Sequence, residues 1–494
     1  MPRHVLTPLV VACALFMENL DGTVISTSLP AIAADLHQDP ITLKLALTSY
    51  LLSLAIFIPA SGWAADRFGA RTIFRSAIVV FTLGSILCGL SSTLIGFVGA
   101  RMVQGLGGAM MVPVGRLVLL RSVPREELVT ALAYLTVPAL IGPILGPPLG
   151  GFITTYFEWR WIFWINVPIG ILGVVLATLF IEDAREAETR PLDLLGFVLS
   201  GLGLSLATFG LSVAGRGFVS PPVVGLLLGG GAALIGTYVA HARRAPYPIL
   251  DLGLLAIPTF RASVLGGFLF RLGIGALPFL LPLLFQLGFG MTPFQSGGLT
   301  LATAAGSMAM KTSANPILSR FGFRQVLVVN AVLSSLFMVV YGSFTAQTGS
   351  VLIFAALLLG GFFRSLEFTA VNALAYADVD DAMMSRATSF VSVVQQLSLS
   401  TGVAAGAGAI EASQWLHGDT SLGARDFSVA FYAVAAVSAG SALIFARLPE
   451  GAGDVLRRLS KPKIVAGVTP SDGLVDQPPP VLDGPRPRNP VART

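Results

Sequence analysis

The chain has 494 residues, of which 54% are hydrophobic and only 12% are charged, with a formal net charge of +5. Soluble domains carry about 25% charged residues, so a soluble enzyme or a soluble binding domain is excluded. Lys and Arg lie mostly in short loops between apolar runs, which indicates membrane orientation rather than nucleic-acid binding.

Long apolar stretches follow one another from the N-terminus to about residue 447. A membrane helix needs about 20 mostly apolar residues, and fourteen stretches meet this length. The predicted spans are 6–34, 43–65, 74–93, 95–119, 128–156, 160–181, 193–214, 222–241, 260–288, 294–318, 325–346, 350–376, 386–414 and 425–447. The first stretch is too long for a cleaved signal peptide and contains Glu18 and Asp21, so we interpret it as a retained span.

The loop charges predict the orientation of these spans. Basic loop residues concentrate on the side of the two termini: Arg67, Arg71, Arg75, Arg121, Arg125, Arg185, Arg190, Arg243, Arg244, Arg320, Arg324 and Arg386. The opposite loops contain Lys44, Arg160, Arg216 and Arg425. Cytoplasmic loops carry the excess of Lys and Arg, so we expect both termini in the cytoplasm.

One internal repeat divides the chain. The sequence Arg67-Phe68-Gly69-Ala70-Arg71 follows the second span, and Arg320-Phe321-Gly322-Phe323-Arg324 follows the tenth. If spans seven and eight are an insertion, both copies follow the second helix of a six-helix half. The predicted parts are an N-terminal six-helix bundle (1–188), two inserted linker helices (189–248), a C-terminal six-helix bundle (249–447) and a polar, Pro-rich, disordered cytoplasmic tail (448–494).

The loop after the second span reads Gly62-Trp63-Ala64-Ala65-Asp66-Arg67-Phe68-Gly69-Ala70-Arg71. This resembles the loop motif of the major facilitator superfamily, with Ala64 in place of the usual Leu. The resemblance implies an all-α integral membrane protein that works by alternating access, in which Gly62, Asp66, Arg67, Gly69 and Arg71 latch the two halves in one conformation. The second copy of the repeat has Ser319 in the place of Asp66, so we expect a weaker latch there.

Further motifs are similar to the 14-helix drug:proton antiporter family. They are Leu20-Asp21-Gly22-Thr23 in span one and the stretch 159–168 that opens span six. The stretch Arg101-Met102-Val103-Gln104-Gly105 in span four resembles a motif of the major facilitator superfamily as a whole. Span five carries residues of the antiporter motif: Gly142, Pro143, Gly146, Pro147, Gly150 and Gly151. The resemblance implies a proton-coupled efflux transporter of the bacterial inner membrane, with drugs as the usual substrates.

Two acids and one base in the first half are candidates for proton coupling. A charge at bilayer depth is a functional candidate by default. Asp21 and Arg101 differ in predicted depth by roughly 10 Å at ~1.5 Å per residue, a gap that the long Arg side chain can close. We expect Asp21 to be the main protonation site, tuned by Arg101, with Glu18 on the same helix face. A static structural pair of Asp21 with Arg101 is the alternative.

The predicted spans of the second half are rich in cations. Arg271, Lys311 and Arg364 have Glu367 as their only nearby acid, and the i,i+3 spacing of Arg364 and Glu367 allows mutual neutralisation. We expect Arg271 to contact an anionic substrate, with Arg364 contributing, and a structural pair of Arg271 with Glu367 is the alternative. Lys311 is close enough to the inner end to snorkel instead. A cationic cavity wall predicts an anionic substrate, and the remaining candidates for hydrogen bonds to it are Asn372, Gln395 and Gln396.

Three functions therefore remain open. The leading one is proton-coupled export of small molecules, and a narrower one is export of an anionic metabolite or metal chelate. A membrane sensor that uses the fold without transport is a third. We expect no metal, no nucleic-acid partner and no cofactor. The P-loop-like run from Gly306 to Thr312 lacks the Gly before Lys311 and lies within a predicted span, so no ATP-driven step is expected. The expected partners are a small molecule, protons and lipid, and we expect a monomer.

Overall fold

The computed structural model describes residues 3–122, 128–181, 191–214, 219–380, 383–418 and 422–453, except the side chains of 3–6 and 120–140. Helices lie at every predicted span. The first seven are α1 (Arg3–Val24), α2 (Lys44–Phe68), α3 (Ala70–Leu90), α4 (Leu94–Ser122), α5 (Leu128–Tyr156), α6 (Asn166–Phe180) and α7 (Leu194–Val213). The next seven are α8 (Pro221–Ala242), α9 (Pro258–Leu283), α10 (Pro293–Phe321), α11 (Phe323–Gly342), α12 (Ser350–Ala375), α13 (Met384–His417) and α14 (Ala424–Ala439).

Twelve helical segments in the described part of the chain are long and apolar enough to cross a membrane. The long helices α5 and α10 are not among them. The composition of α10 explains its absence, because hydroxyls and a cation at Thr300, Thr303, Ser307 and Lys311 lower its hydropathy. The chain is thus an all-helical multi-pass membrane protein in its described residues.

The local sequence determines where helix α10 begins. Pro293 occupies the first turn, where its missing N–H has no partner to lose. The Thr292 hydroxyl accepts a hydrogen bond from the Gln295 N–H, and the Gln295 side chain accepts one from the Thr292 N–H. This capping box satisfies two N–H groups that would be costly to bury, and it fixes the helix start at the loop.

Helix packing repeats along the chain at an interval of eight helices. The pairs α1–α5, α2–α4, α3–α4 and α3–α6 pack closely, and so do α9–α13, α10–α12, α11–α12 and α11–α14. The two sets meet where α5 packs against α10 and where α2 packs against α13. Helices α7 and α8 pack mainly on each other, and α7 also contacts α2.

The tight turns at Gly69 and Gly322 connect α2 to α3 and α10 to α11. Their φ angles are 95° and 78°, in a region that glycine adopts without a Cβ penalty, so the sequence repeat corresponds to a repeated backbone turn. We call the face with these turns the Asp66 face. The opposite face, with the connections 36–43, 157–160 and 289–292, is the Lys44 face.

The chain beyond α14 continues to pack for a few residues. Leu448 and Ala452 are buried in a cluster with α11 and α12, so the predicted tail boundary at 448 is several residues too early. The apolar character of these two side chains accounts for the difference. The rest of the predicted tail, from residue 454, lies outside the described residues.

Glycines of the antiporter motif let α5 approach α1 closely. Gly142, Gly146 and Gly150 recur every four residues and face α1, where an added Cβ would meet backbone or side-chain atoms of residues 16–27. Gly151 faces the other way, against Pro293 and Phe294 of α10. The motif therefore sets the distance from α5 to α1, in its own helix set, and from α5 to α10, in the other set.

The substitution Gly150→Val should separate α1 from α5. Its Cβ would meet the Val24 carbonyl oxygen and the Thr27 hydroxyl, and overpacking of this kind costs about 1–3 kcal/mol. We expect a lower melting temperature in detergent, measured by fluorescence-detected size exclusion. Gly99→Val is the control, since an added Cβ at Gly99 meets nothing within 4 Å. Equal melting temperatures for both variants would contradict the packing role.

Candidate functional site

A fully buried ion pair lies at the centre of the first set of helices. Arg101 Nη1 of α4 donates a hydrogen bond of 2.7 Å to Asp21 Oδ2 of α1. The other carboxylate oxygen accepts from Gln104 Nε2 at 2.8 Å and from Asn166 Nδ2 of α6 at 2.9 Å. Asp21 is 0% and Arg101 is 1% exposed. The predicted contact of the two charges is therefore present, and three donors stabilise the ionised carboxylate.

A polar network extends from this pair into two neighbouring helices. Both Gln104 Nε2 and Asn166 Nδ2 contact the Ser85 hydroxyl of α3, at 2.7 and 3.1 Å. The Arg101 guanidinium lies 4.2 Å from the centre of the Tyr50 ring of α2. Sequence analysis assigned no role to Gln104, Asn166, Ser85 or Tyr50. The available signal was the presence of two amides in apolar helices, where each needs a buried partner.

Glu18 lies one turn before Asp21 on α1 and has a different environment. Its Oε2 atom is buried and has no hydrogen-bond partner in the described residues. Its other oxygen and the Tyr50 hydroxyl both lie close to Gly108 of α4. The two acids thus share a face of α1, as predicted, but only Asp21 is in an ion pair.

A cavity of about 260 Å³ lies between the two sets of helices. Its walls come from α1 and its 3₁₀ turn (Ile25–Ser28), α5, α9, α10 and α12. The polar residues among its lining are Thr23, Ser26, Thr300, Thr303, Ser307, Lys311 and Arg364. The remaining lining is apolar, with Pro143 and Pro147 of the antiporter motif among it. No acid is present among the described lining residues, so both charges in the wall are positive.

The structure places Arg271, predicted to contact an anionic substrate, away from the described cavity wall. Its side chain is 1% exposed and is not part of the cavity wall. Its Nη2 donates to Asn372 Oδ1 of α12 at 2.7 Å, and its guanidinium lies 5.3 Å from the Phe368 ring centre. A neutral amide and an aromatic face therefore take the place of the expected substrate anion. Asn372, predicted to bind substrate, binds Arg271 instead.

Arg364 and Glu367 do not pair in the described structure, although their spacing allows it. Arg364 points into the cavity, whereas Glu367 is 0% exposed and both of its carboxyl oxygens lack a partner in the described residues. Spacing at i,i+3 allows a contact but does not require one, because each long side chain follows its own environment.

The other three substrate candidates divide between the cavity and its surroundings. Lys311 is exposed, lines the cavity and donates from Nζ to Thr369 Oγ1 at 3.3 Å. Gln395 and Gln396 are half-buried on α13 and do not line the cavity. The cavity charges are thus Lys311 and Arg364, without Arg271.

The residues of the loop motif lie on the Asp66 face, at the end of α2 and the start of α3. Gly62 is exposed, and an added Cβ would meet nothing within 4 Å, so no close helix approach depends on it in this conformation. Asp66 is half-buried and lies inside the last turn of α2, which continues to Phe68. Arg71 Nη1 donates to the Ile181 carbonyl at 3.4 Å, and Arg67 is exposed.

Polar contacts between the two helix sets concentrate at the Lys44 face. Lys44 of α2 and Glu411 of α13 form a buried ion pair of 2.7 Å. Gln286 Nε2, just after α9, donates to the Thr27 carbonyl at 2.9 Å. The Phe294 N–H donates to Thr155 Oγ1 at 3.0 Å. Lys44 was expected in a loop on the side opposite the termini, and in the structure it is buried against α13 and pairs across the interface.

Comparison with known proteins gives consistent matches. Residues 11–260 and 263–478 match the family model described as Major Facilitator Superfamily. The "Putative multidrug resistance protein MdtD" of Salmonella paratyphi B is 40% identical over 443 residues, which cover 89% of this chain and 94% of that protein. The Salmonella typhimurium protein of the same name matches with the same identity and coverage.

Solved structures share the fold at low sequence identity. The POT family transporter PepTSo superposes with a TM-score of 0.68 at 15% identity, covering 93% of this chain and 99% of that chain. A D-xylose–proton symporter superposes with a TM-score of 0.66 at 15% identity, covering 90% and 98%. At this identity the likeness concerns the fold alone.

The ion pair between Lys44 and Glu411 should hold the Lys44 face closed. Lys44→Gln leaves a buried carboxylate without its cation, and loss of one partner of a buried pair costs about 3–5 kcal/mol. We expect longer distances between spin labels at Glu158 and Val351, which lie on this face in the two helix sets. Pulsed electron spin resonance gives the distance distribution.

The matched control is the exchanged pair Lys44→Glu with Glu411→Lys. It keeps one positive and one negative charge across the interface, so the original distance distribution should return. A distribution that is the same in wild type and in Lys44→Gln would show that the ion pair does not close this face.

Proposed function

The chain belongs to the Major Facilitator Superfamily, and on that premise we propose that it is a proton-coupled antiporter that exports small molecules, drugs among them, by alternating access. It is a multi-pass transporter of the bacterial inner membrane and not an enzyme. The observation that carries the proposal is the central cavity between the two helix sets, which lies close to a buried acid–base network and is closed at the Lys44 face.

The proposed architecture has fourteen spans in the arrangement 6+2+6. Residues 1–188 form one bundle, 189–248 the two linker helices and 249–447 the second bundle. The recurrence of the helix pairs at an interval of eight supports this division, because each bundle then has the same internal packing. The Arg-rich loops place the Asp66 face, and with it both termini, in the cytoplasm.

With this orientation the conformation is inward-facing. The contacts of Lys44, Gln286 and Phe294 close the periplasmic side. Lys311 and Met308 are exposed toward the Asp66 face and line the same cavity. A substrate from the cytoplasm therefore enters from the Asp66 face, and export requires the Lys44 face to open.

Proton coupling is assigned to Asp21, Arg101 and Glu18. In the inward-facing conformation Asp21 is paired with Arg101, as expected for a carboxylate that has released its proton. A proton from the periplasmic side neutralises Asp21 and weakens its bond to Arg101, which loosens the links among α1, α4 and α6. Glu18, beside Tyr50, provides a second carboxyl on the same path.

The loop on the Asp66 face is assigned the latch of the opposite conformation. Gly62 has free space around it in this conformation, and Arg67 is exposed. When the Asp66 face closes, α2 approaches neighbouring helices and the small size of Gly62 becomes necessary. A negative Asp66 near a helix N-terminus then stabilises the closed face.

A narrower candidate is export of anionic compounds. Lys311 and Arg364 are the charged residues of the described cavity wall, and hydroxyl groups surround them. In a site of low polarity, such cations favour a ligand with a carboxylate or another anionic group over a cation.

Asp21→Asn should abolish transport driven by a pH gradient. The amide cannot lose or gain a proton, so the coupling step is missing, while Gln104 and Asn166 can still donate to its oxygen. Everted membrane vesicles with ethidium as the probe give the measurement. Uphill transport at the wild-type rate would remove Asp21 from the mechanism.

The double variant Asp21→Asn with Arg101→Gln separates stability from coupling. Asp21→Asn alone leaves Arg101 buried without its anion, which is destabilising. The double variant removes both charges, so we expect its melting temperature to recover toward wild type while gradient-driven transport stays absent. Recovery of transport as well would mean that the pair has a structural role only.

Substrate charge is tested with benzoate, benzamide and benzylamine, which differ in charge but little in size. Lys311→Gln and Arg364→Gln should each weaken benzoate binding about tenfold or more, since a hydrogen bond to a charged group contributes about 1.5–3 kcal/mol. Benzamide and benzylamine should lose less. Arg324→Gln, on the Asp66 face and outside the cavity, is the control. Equal losses for all three compounds would contradict selection by charge.

A further inference from the structure

The second helix set contains a carboxyl group that has no role in the mechanism proposed above. Glu367 of α12 is 0% exposed and does not line the cavity. Neither of its oxygens has a hydrogen-bond partner in the described residues. Almost every buried polar group in a protein is hydrogen-bonded, so an exception requires an explanation.

The nearest cation is held away from this carboxyl by other groups. Arg271 of α9 crosses to α12, where it binds Asn372 and lies over the ring of Phe368, the residue next to Glu367. No ion pair within 4 Å links Arg271 to Glu367, and the buried Nε of Arg271 also lacks a partner. The Arg271 guanidinium thus lies against the part of α12 that carries Glu367, but it does not contact the Glu367 carboxyl.

The other charged groups around α12 are engaged elsewhere. Lys311 of α10 donates to Thr369 and lies at the cavity. The Tyr341 hydroxyl of α11 donates to the Ala356 carbonyl at 3.4 Å. Arg364 of α12 itself points into the cavity. Of these cations, Arg271 lies over the ring next to Glu367 and is therefore its candidate partner.

Burial of an isolated ionised carboxylate costs several kcal/mol, and proteins avoid this cost by neutralising the group. A protonated carboxyl is neutral and satisfies this condition without a cation. It also explains why Arg271 binds a neutral amide although an acid lies close by. The arrangement is that expected for an acid that holds a proton.

We propose that Glu367 is a further proton-carrying carboxyl, protonated in this conformation and discharged when Arg271 moves from Asn372 to Glu367. The step transfers one proton: the O–H bond of the Glu367 carboxyl breaks, the proton passes to water, and the carboxylate that remains pairs with Arg271. This inference rests on the proton coupling of the proposed function and extends it to the second bundle.

The two helix sets then hold their acids in opposite states. Asp21 is ionised and paired with Arg101, whereas Glu367 is neutral and separated from Arg271. Asn372 decides the state of Glu367, because it is the alternative partner of Arg271. Its role is that of a positioning residue, which acts on the proton through the guanidinium.

The test measures protonation without any transported substrate. Dicyclohexylcarbodiimide reacts with protonated carboxyls in apolar surroundings, and mass spectrometry of the purified full-length protein identifies the labelled residue. At neutral pH we expect label at Glu367 and none at Asp21. Infrared spectroscopy of wild type against Glu367→Gln gives a second measurement, since the band of a protonated carboxyl should be missing from the variant.

Two variants of Asn372 test whether the partner of Arg271 controls the protonation of Glu367. Asn372→Leu frees Arg271 to pair with Glu367, so both the label and the infrared band of Glu367 should be lost. Asn372→Asp holds Arg271 in place with a full charge, so both should remain. These opposite results would not arise from a general loss of packing, which would affect the two variants alike.

Absence of the Glu367 band from wild type, or equal labelling of Glu367 in Asn372→Leu and Asn372→Asp, would overturn the inference. Failure of the proposed function is distinguishable from this result. Proton-driven ethidium transport could be absent while Glu367 shows the expected protonation in both Asn372 variants. That result would support the control of Glu367 by Asn372 and contradict the coupling of protons to export.

Discussion

The buried ion pair of Asp21 with Arg101 is the interaction on which the rest of the first bundle depends. Neither charge can remain unpaired at this depth without a cost of several kcal/mol. The pair therefore fixes α1 against α4, and the amides of Gln104 and Asn166 add α6 to the same network. A change in the charge of one carboxylate thus alters the contacts of three helices at once, which is what a proton-driven change of conformation requires.

Small residues and polar contacts together join the two helix sets. The glycines of α5 let it pack closely against α1 on one side and α10 on the other. The ion pair of Lys44 with Glu411 adds a connection between α2 and α13 at the Lys44 face. Since these contacts lie at one end of the molecule, the cavity is bounded at that end. Opening it requires the separation of a buried pair but leaves the interior of each set intact.

The second bundle handles its charges in a different way. Lys311 and Arg364 face the cavity, so hydration or a ligand compensates them. Arg271 and Glu367 are buried and do not pair. The Asn372 amide binds Arg271, and in our proposal a proton neutralises Glu367. In our proposal the residues that face the cavity select the substrate, and the buried Glu367 carries a proton.

The sequence by itself determined the helix positions, because apolar runs of spanning length have few alternatives in a membrane. It also predicted the meeting of Asp21 with Arg101 and the repeated turns at Gly69 and Gly322, since buried charge and glycine turns leave local signals. It could not decide the partners of Arg271, Arg364 and Glu367. Periodicity gives the face on which a side chain lies, but not which neighbouring helix meets that face. The ion pair of Lys44 with Glu411 joins residues 367 positions apart, and only the packing of α2 against α13 brings them together.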